Sequence, residues 1–85
     1  MTEITARQLE IAKAIVNHIE TKDRVPNYKT VSSGSEEARP VFAILKEIGV
    51  LAWGKRLSKT GRKMSRLMLQ DGYEEKMANL EKESL

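Results

Sequence analysis

Two apolar runs, IGVLAW ending at Trp53 and LML ending at Leu69, bracket the segment GKRLSKTGRKMSR from Gly54 to Arg66. Six of its residues are Lys or Arg, and none is Asp or Glu. So dense a run of cations stays in solvent, because Lys and Arg are almost never buried unpaired. The apolar flanks must turn inward instead. A β-hairpin with a charged tip satisfies both demands, and no other feature limits the fold as much. Val50–Trp53 is the predicted first strand and Ser65–Leu69 the predicted return strand. A competing parse stays open, because Met64, Leu67 and Met68 also have helical spacing. On that parse the hairpin turns tightly near Gly54–Lys55, and residues 59–82 form one long or broken helix.

Charge is distributed unevenly. The 85 residues carry a net +3, but residues 1–70 hold +6 and residues 71–85 hold −3. No acid occurs between Glu47 and Asp71. A basic body with one intensely basic segment is the electrostatic footprint of a nucleic-acid binder. The chain has no Cys and one His, His18, so thiolate sites and disulfides are excluded and a zinc site is not expected. No apolar stretch approaches the roughly 20 residues that span a bilayer, and the N-terminus lacks a signal-peptide pattern. A cytoplasmic protein with no membrane partner is the expectation.

Residues 4–22 predict a helix. Thr5 and Gln8 form a capping box, and Ile4 and Leu9 are placed for a hydrophobic staple. Leu9, Ala12, Ile15, Val16 and Ile19 recur at three- and four-residue steps, with Ile11 and Ala14 widening the face. The helix should end at Thr21–Asp23, ahead of Val25-Pro26. Asn27 is the predicted cap of a short second helix that turns Tyr28 and Val31 inward before SSGS breaks it. Residues 35–48 predict a third helix with a stripe of Ala38, Val41, Phe42, Leu45 and Ile48. Ser33 or Ser35 is its candidate cap, Glu36 and Glu37 suit its positive end, and Gly49 should terminate it. Pro40 belongs in a first turn, which places the regular start near Glu36–Ala38. Residues 73–82 predict a last helix capped by Asp71, with Tyr73, Met77 and Leu80 on one face.

The string ITARQLEIAKAIVNHIETKDRVPNYKTV resembles the opening of the LexA repressor's DNA-binding domain, a winged helix-turn-helix. The match is carried by Thr5, Ala6, Arg7, Gln8, Glu10, Ile11, His18, Ile19 and Pro26. FAILKEIGVL is similar to the end of that family's recognition helix running into its first wing strand, and SRLML to the strand that closes the wing. LSKTGRKMSRLM is also similar to a Leu-Thr-x-x-Gly-Arg element that closes the wing in other winged-helix families, where a helix follows at once. The resemblance spans residues 4–69. It implies a mainly α fold: three helices, a two-stranded wing and a C-terminal helix. Residues 1–70 would be the winged domain and residues 71–85 a C-terminal amphipathic helix or tail. The chain is too short for the self-cleaving protease domain that follows in LexA, so autoproteolysis is not expected.

By the resemblance, the third helix enters the major groove of double-stranded DNA and presents Ser35, Glu36, Glu37 and Arg39 to base edges. Arg pairs with guanine, and Glu accepts from cytosine N4. Lys55, Arg56, Lys59, Arg62, Lys63 and Arg66 are candidate phosphate contacts of the wing, with Arg7 and Lys29 as weaker ones. Trp53 is expected to pack on the third helix or on a partner rather than stack on a base. Tyr73, Met77 and Leu80 are candidates for a weak homodimer contact or for docking on the chain's own core. No catalytic set and no cofactor site is evident. The reading is a small sequence-specific transcriptional regulator of bacterial, archaeal or mobile-element type, with a compact design that fits phage or plasmid proteins. The alternative is a winged-helix protein-interaction module that modulates a partner enzyme such as RNA polymerase. RNA binding ranks behind both, because aromatic residues are 5% of the chain.

Overall fold

The computed structural model describes residues 4–57 and 60–83. Its elements are α1 (Ala6–Lys22), α2 (Tyr28–Val31), α3 (Ser35–Glu47), β1 (Leu51–Leu57), β2 (Lys63–Leu69) and α4 (Tyr73–Glu83). The architecture is mainly helical with a two-stranded antiparallel sheet, compatible with a small winged-helix-like domain. Among the described residues no helix is long and apolar enough to cross a membrane.

The start of α1 follows directly from its sequence. Gln8 N–H donates to Thr5 Oγ1 and Thr5 N–H donates to Gln8 Oε1, each at 3.1 Å, so the capping box is complete. Ile4 and Leu9 are both buried in the core. Leu9, Ile11, Ala12, Ile15, Val16 and Ile19 form the buried face of α1. The helix ends with Asp23 in a left-handed conformation (φ 56°), its N–H bonded to Ile19 O.

One turn of helix and a short break connect α1 to α3. Ser32 organises the break. Its hydroxyl donates to Tyr28 O at 2.6 Å and accepts from Gly34 N–H at 3.2 Å. The predicted caps of α3 are corrected here, since Gly34 holds the N-cap position and no side chain caps it. The helix begins at Ser35 and runs through Pro40, its sixth residue. Pro40 is therefore not confined to the first turn, and Glu36 O loses its intrahelical donor. Both residues are exposed, so that carbonyl lies on the solvent side of α3.

Gly49 ends α3 with a positive φ of 85°. Gly49 N–H bonds to Lys46 O (3.3 Å) and Val50 N–H to Leu45 O (2.9 Å). This paired reversal redirects the chain straight into β1. At the root of the sheet, Gln70 N–H bonds to Val50 O (3.0 Å), and Lys76 Nζ of α4 donates to Gly49 O (3.3 Å).

Both strands are longer than predicted. They pair from Leu51↔Leu69 through Leu57↔Lys63. The long-helix parse is overturned, because Lys63–Leu69 is strand and only Tyr73–Glu83 is helix. Gly72, not Asp71, precedes α4, and its carbonyl accepts from Lys76 N–H at 3.3 Å. The core combines the inner faces of α1 and α3 with Val31, Val50, Leu51, Leu67 and Leu80. Among the described residues no polar or charged side chain is buried.

Candidate nucleic-acid interface

The outer face of α3 presents Ser35, Glu36 and Arg39, all exposed. Glu37 behaves differently. It lies at the third position of α3, and its carboxylate faces α1. Arg7 Nη2 donates to Glu37 Oε1 at 2.9 Å, and Ser33 N–H donates to the same oxygen at 3.1 Å. The hydrogen bond from Arg7 and that from Ser33 hold the Glu37 carboxyl below the usual carboxylate range. The same contact with Glu37 raises Arg7 above its ordinary value. Two sequence-based roles are thereby corrected. Glu37 ties the start of α3 to α1 instead of facing a groove. Arg7 is engaged by Glu37, and by Glu10 at 3.5 Å, instead of standing ready for phosphate. Lys29 is exposed on α2, as a backbone contact requires.

Lys46, which sequence reasoning passed over, lies seven residues beyond Arg39. Two helical turns separate them, so they share a face of α3. Glu36 and Glu47 are exposed on the same helix. Its solvent side therefore carries mixed charge, and any general attraction to phosphate must come from elsewhere.

The hairpin carries charge of one sign. Lys55, Arg62 and Lys63 are exposed along it. The Arg56 side chain and Lys59 lie outside the described residues. Arg66, also predicted as a phosphate contact, is held within the chain. Its guanidinium donates to the backbone carbonyl of Asp23, and Nη2 lies 3.8 Å from the Asp23 carboxylate. Only 27% of its side chain is exposed, and its Nε is buried without a hydrogen-bond partner. Arg66 thus fastens β2 to the end of α1. Asp23 is 43 residues away in sequence, so no local signal announces this tie.

The two faces of the hairpin differ. Leu51 and Leu67 enter the core, while Ala52, Gly54, Arg66 and Met68 alternate onto the other face. A Cβ on Gly54 would lie 2.6 Å from Met68 Sδ, so glycine lets Met68 cross the neighbouring strand. Trp53 shares the inner face with Leu51, but the core ends before it. It is 64% exposed, so the expectation that it packs on the third helix is corrected. Tyr28, expected inward, is 38% exposed and meets Phe42 edge-on, with ring centroids 5.7 Å apart.

The proposed dimer face is also corrected. Leu80 is 2% exposed within the core, and Tyr73 and Met77 pack against it. Tyr73 OH donates to Glu20 Oε2 at 2.7 Å, which pushes its ionisation up to about 12. Lys13 Nζ pairs with Glu81 at 2.8 Å across the same contact. The apolar stripe of α4 packs on α1 of its own chain, the docking that the sequence left open beside a homodimer contact. Around His18 the neighbours are Arg24, Val25, Pro26, Asn27 and Thr30, and no metal-binding group of three ligands occurs among the described residues.

Comparison of the chain with family models, with curated proteins and with solved structures finds no match in any of the three.

Proposed function

We propose that this chain is a sequence-specific double-stranded DNA-binding protein of winged helix-turn-helix type, acting as a small transcriptional regulator. In this reading α3 enters the major groove with Arg39 toward base edges. The hairpin lies along the phosphate backbone. One observation carries the reading: a fully paired hairpin, rooted in the core, bears exposed Lys55, Arg62 and Lys63 with no acid between Glu47 and Asp71. The order of helices and strands and the LexA-like opening support it.

The electrostatic arithmetic sets the test. Removing one cation–phosphate pair flattens the slope of log affinity against log salt by about 0.9. Three such pairs from Lys55, Arg62 and Lys63 amount to a slope near −2.7, or roughly forty-fold weaker binding between about 50 and 200 mM salt. Fluorescence anisotropy on a random duplex measures this directly. Neutralising all three should remove most of the slope. Arg39→Ala should cost about 1–3 kcal/mol on a preferred site and far less on random sequence. A chain that leaves duplex DNA unbound at low salt overturns the reading in favour of a protein-interaction module.

A further inference from the structure

The chain contains only four aromatic residues, and three of them line one groove. Tyr28, Phe42 and Trp53 supply its rings, Pro26 its floor, and Asn27 and Lys46 its polar rim. Its volume is about 300 Å³, at the lower end of sites that take small ligands. Val25, Pro26 and Asn27 also line a second hollow of about 220 Å³, together with His18, Arg24 and Thr30. Among the described residues no carboxylate lines either hollow.

Three features indicate the occupant. Trp53 offers a broad, exposed ring that the domain's own packing does not use. Asn27 stands at the N-cap position of α2, yet its side chain makes no capping hydrogen bond. Its amide, with both a donor and an acceptor, is left at the mouth of the groove. Lys46 lies on the face of α3 that carries Arg39, so a phosphate chain passing along that helix arrives at the rim. Aromatic platforms beside cations in an acid-free channel are how proteins hold single-stranded nucleic acid. An acidic peptide would satisfy the lysine but would make less use of a flat indole and a primary amide.

We propose that this groove binds an unpaired nucleobase of single-stranded DNA, stacked on Trp53 with its edge at Asn27 and its phosphate at Lys46. The site is distinct from the hairpin contacts and does not require the duplex reading to hold. Together the two sites favour a duplex that adjoins a single-stranded stretch over a blunt duplex.

Trp53 is the only tryptophan, so the emission comes from the groove's own ring. The protein is titrated with a dodecamer of thymidylate, with a blunt random duplex, and with an acidic peptide of alternating Glu and Leu. The dodecamer should quench the emission. Trp53→Ala, checked for folding by circular dichroism, should bind it about five- to 150-fold more weakly, the range for removal of one base stack. Because the variants lack the reporter, their affinities and that of the wild type are compared by anisotropy of a dye-labelled dodecamer. Trp53→Phe should retain most of the affinity, which separates loss of the ring from loss of the fold. Unchanged emission with the dodecamer, or equal affinity for wild type and Trp53→Ala, overturns the proposal. A response to the peptide but not to the dodecamer also overturns it and assigns the groove to a protein. Quenching by the dodecamer without duplex binding would leave this site standing and remove the duplex reading. Duplex binding without quenching would do the reverse.

Discussion

Leu80→Ala tests the reassignment of α4 from subunit contact to core lid. Leu80 is 2% exposed, so the substitution removes buried carbons and leaves a cavity. Buried Leu→Ala changes cost about 2–5 kcal/mol. Leu80 sits in the last helix, at the margin of the core, where neighbours relax more easily, and about 2–3 kcal/mol is the expected loss. A domain of this size has roughly 4–13 kcal/mol in total, so the variant stays folded but is visibly weakened. Urea unfolding of a small domain has a slope near 1 kcal/mol per molar, so the midpoint should fall by about 2–3 M. Melting should drop by roughly 10–20 °C. The decisive control is concentration. Unfolding of a lid within one chain gives the same loss at every protein concentration, whereas a dimer contact gives a loss that grows on concentration. Asn79→Ala, on the exposed side of the same helix, should stay within about 0.5 kcal/mol of wild type. An unchanged midpoint for Leu80→Ala, or a shift from dimer to monomer in sedimentation, would refute the placement.

Arg66→Ala should weaken duplex binding without changing its salt slope, because Arg66 holds the hairpin to Asp23. Lys63→Ala should flatten the slope by about 0.9 in the same titration. Glu37 has a depressed folded value, so its stabilising effect is present above the ordinary carboxylate range and is lost as pH falls through the folded one. The stability gap between wild type and Glu37→Gln, measured by urea unfolding, should be open at about pH 6 and should narrow as the pH is lowered through the carboxylate range. Pro40→Ala restores a donor to Glu36 O and should stabilise the chain by about 1–3 kcal/mol; a lower unfolding midpoint would show that the proline is needed where it stands.

Much of this fold is written locally. Thr5 and Gln8 are three residues apart, and their reciprocal bonds need nothing from the rest of the chain. Gly49 likewise ends α3 by its own conformational freedom. The spacing of Val41, Phe42 and Leu45 marks the inner face of α3 wherever that helix packs. What stayed illegible depends on distant partners. The strands were underestimated because charge looks like an end, although pairing with Met64 and Lys63 carries β1 through Arg56 and Leu57. Arg7 and Glu37 are 30 residues apart, so the pair that removes both from the ligand face leaves no trace in spacing. Tyr73, Met77 and Leu80 showed an amphipathic helix, but the residues on the helix cannot say which chain covers it. Trp53 was misplaced for a similar reason. Strand alternation puts it on the inner face, and only the three-dimensional extent of the core reveals that it stays 64% exposed.

The hairpin has the mechanics of a lever braced halfway along its length, where Arg66, opposite Gly54, is tied to Asp23. Seven residues per strand, at about 3.3 Å each, make an arm of about 23 Å. A tilt of about 5° at its root moves the far end by about 2 Å, most of the length of a hydrogen bond. Angular precision is therefore needed at the root, where Gly49 and Val50 turn the chain into β1, and at the brace between Arg66 and Asp23 halfway out, and neither place meets a ligand in the proposed mode of binding. A small change there is amplified along the arm, and the cations at its end inherit the error.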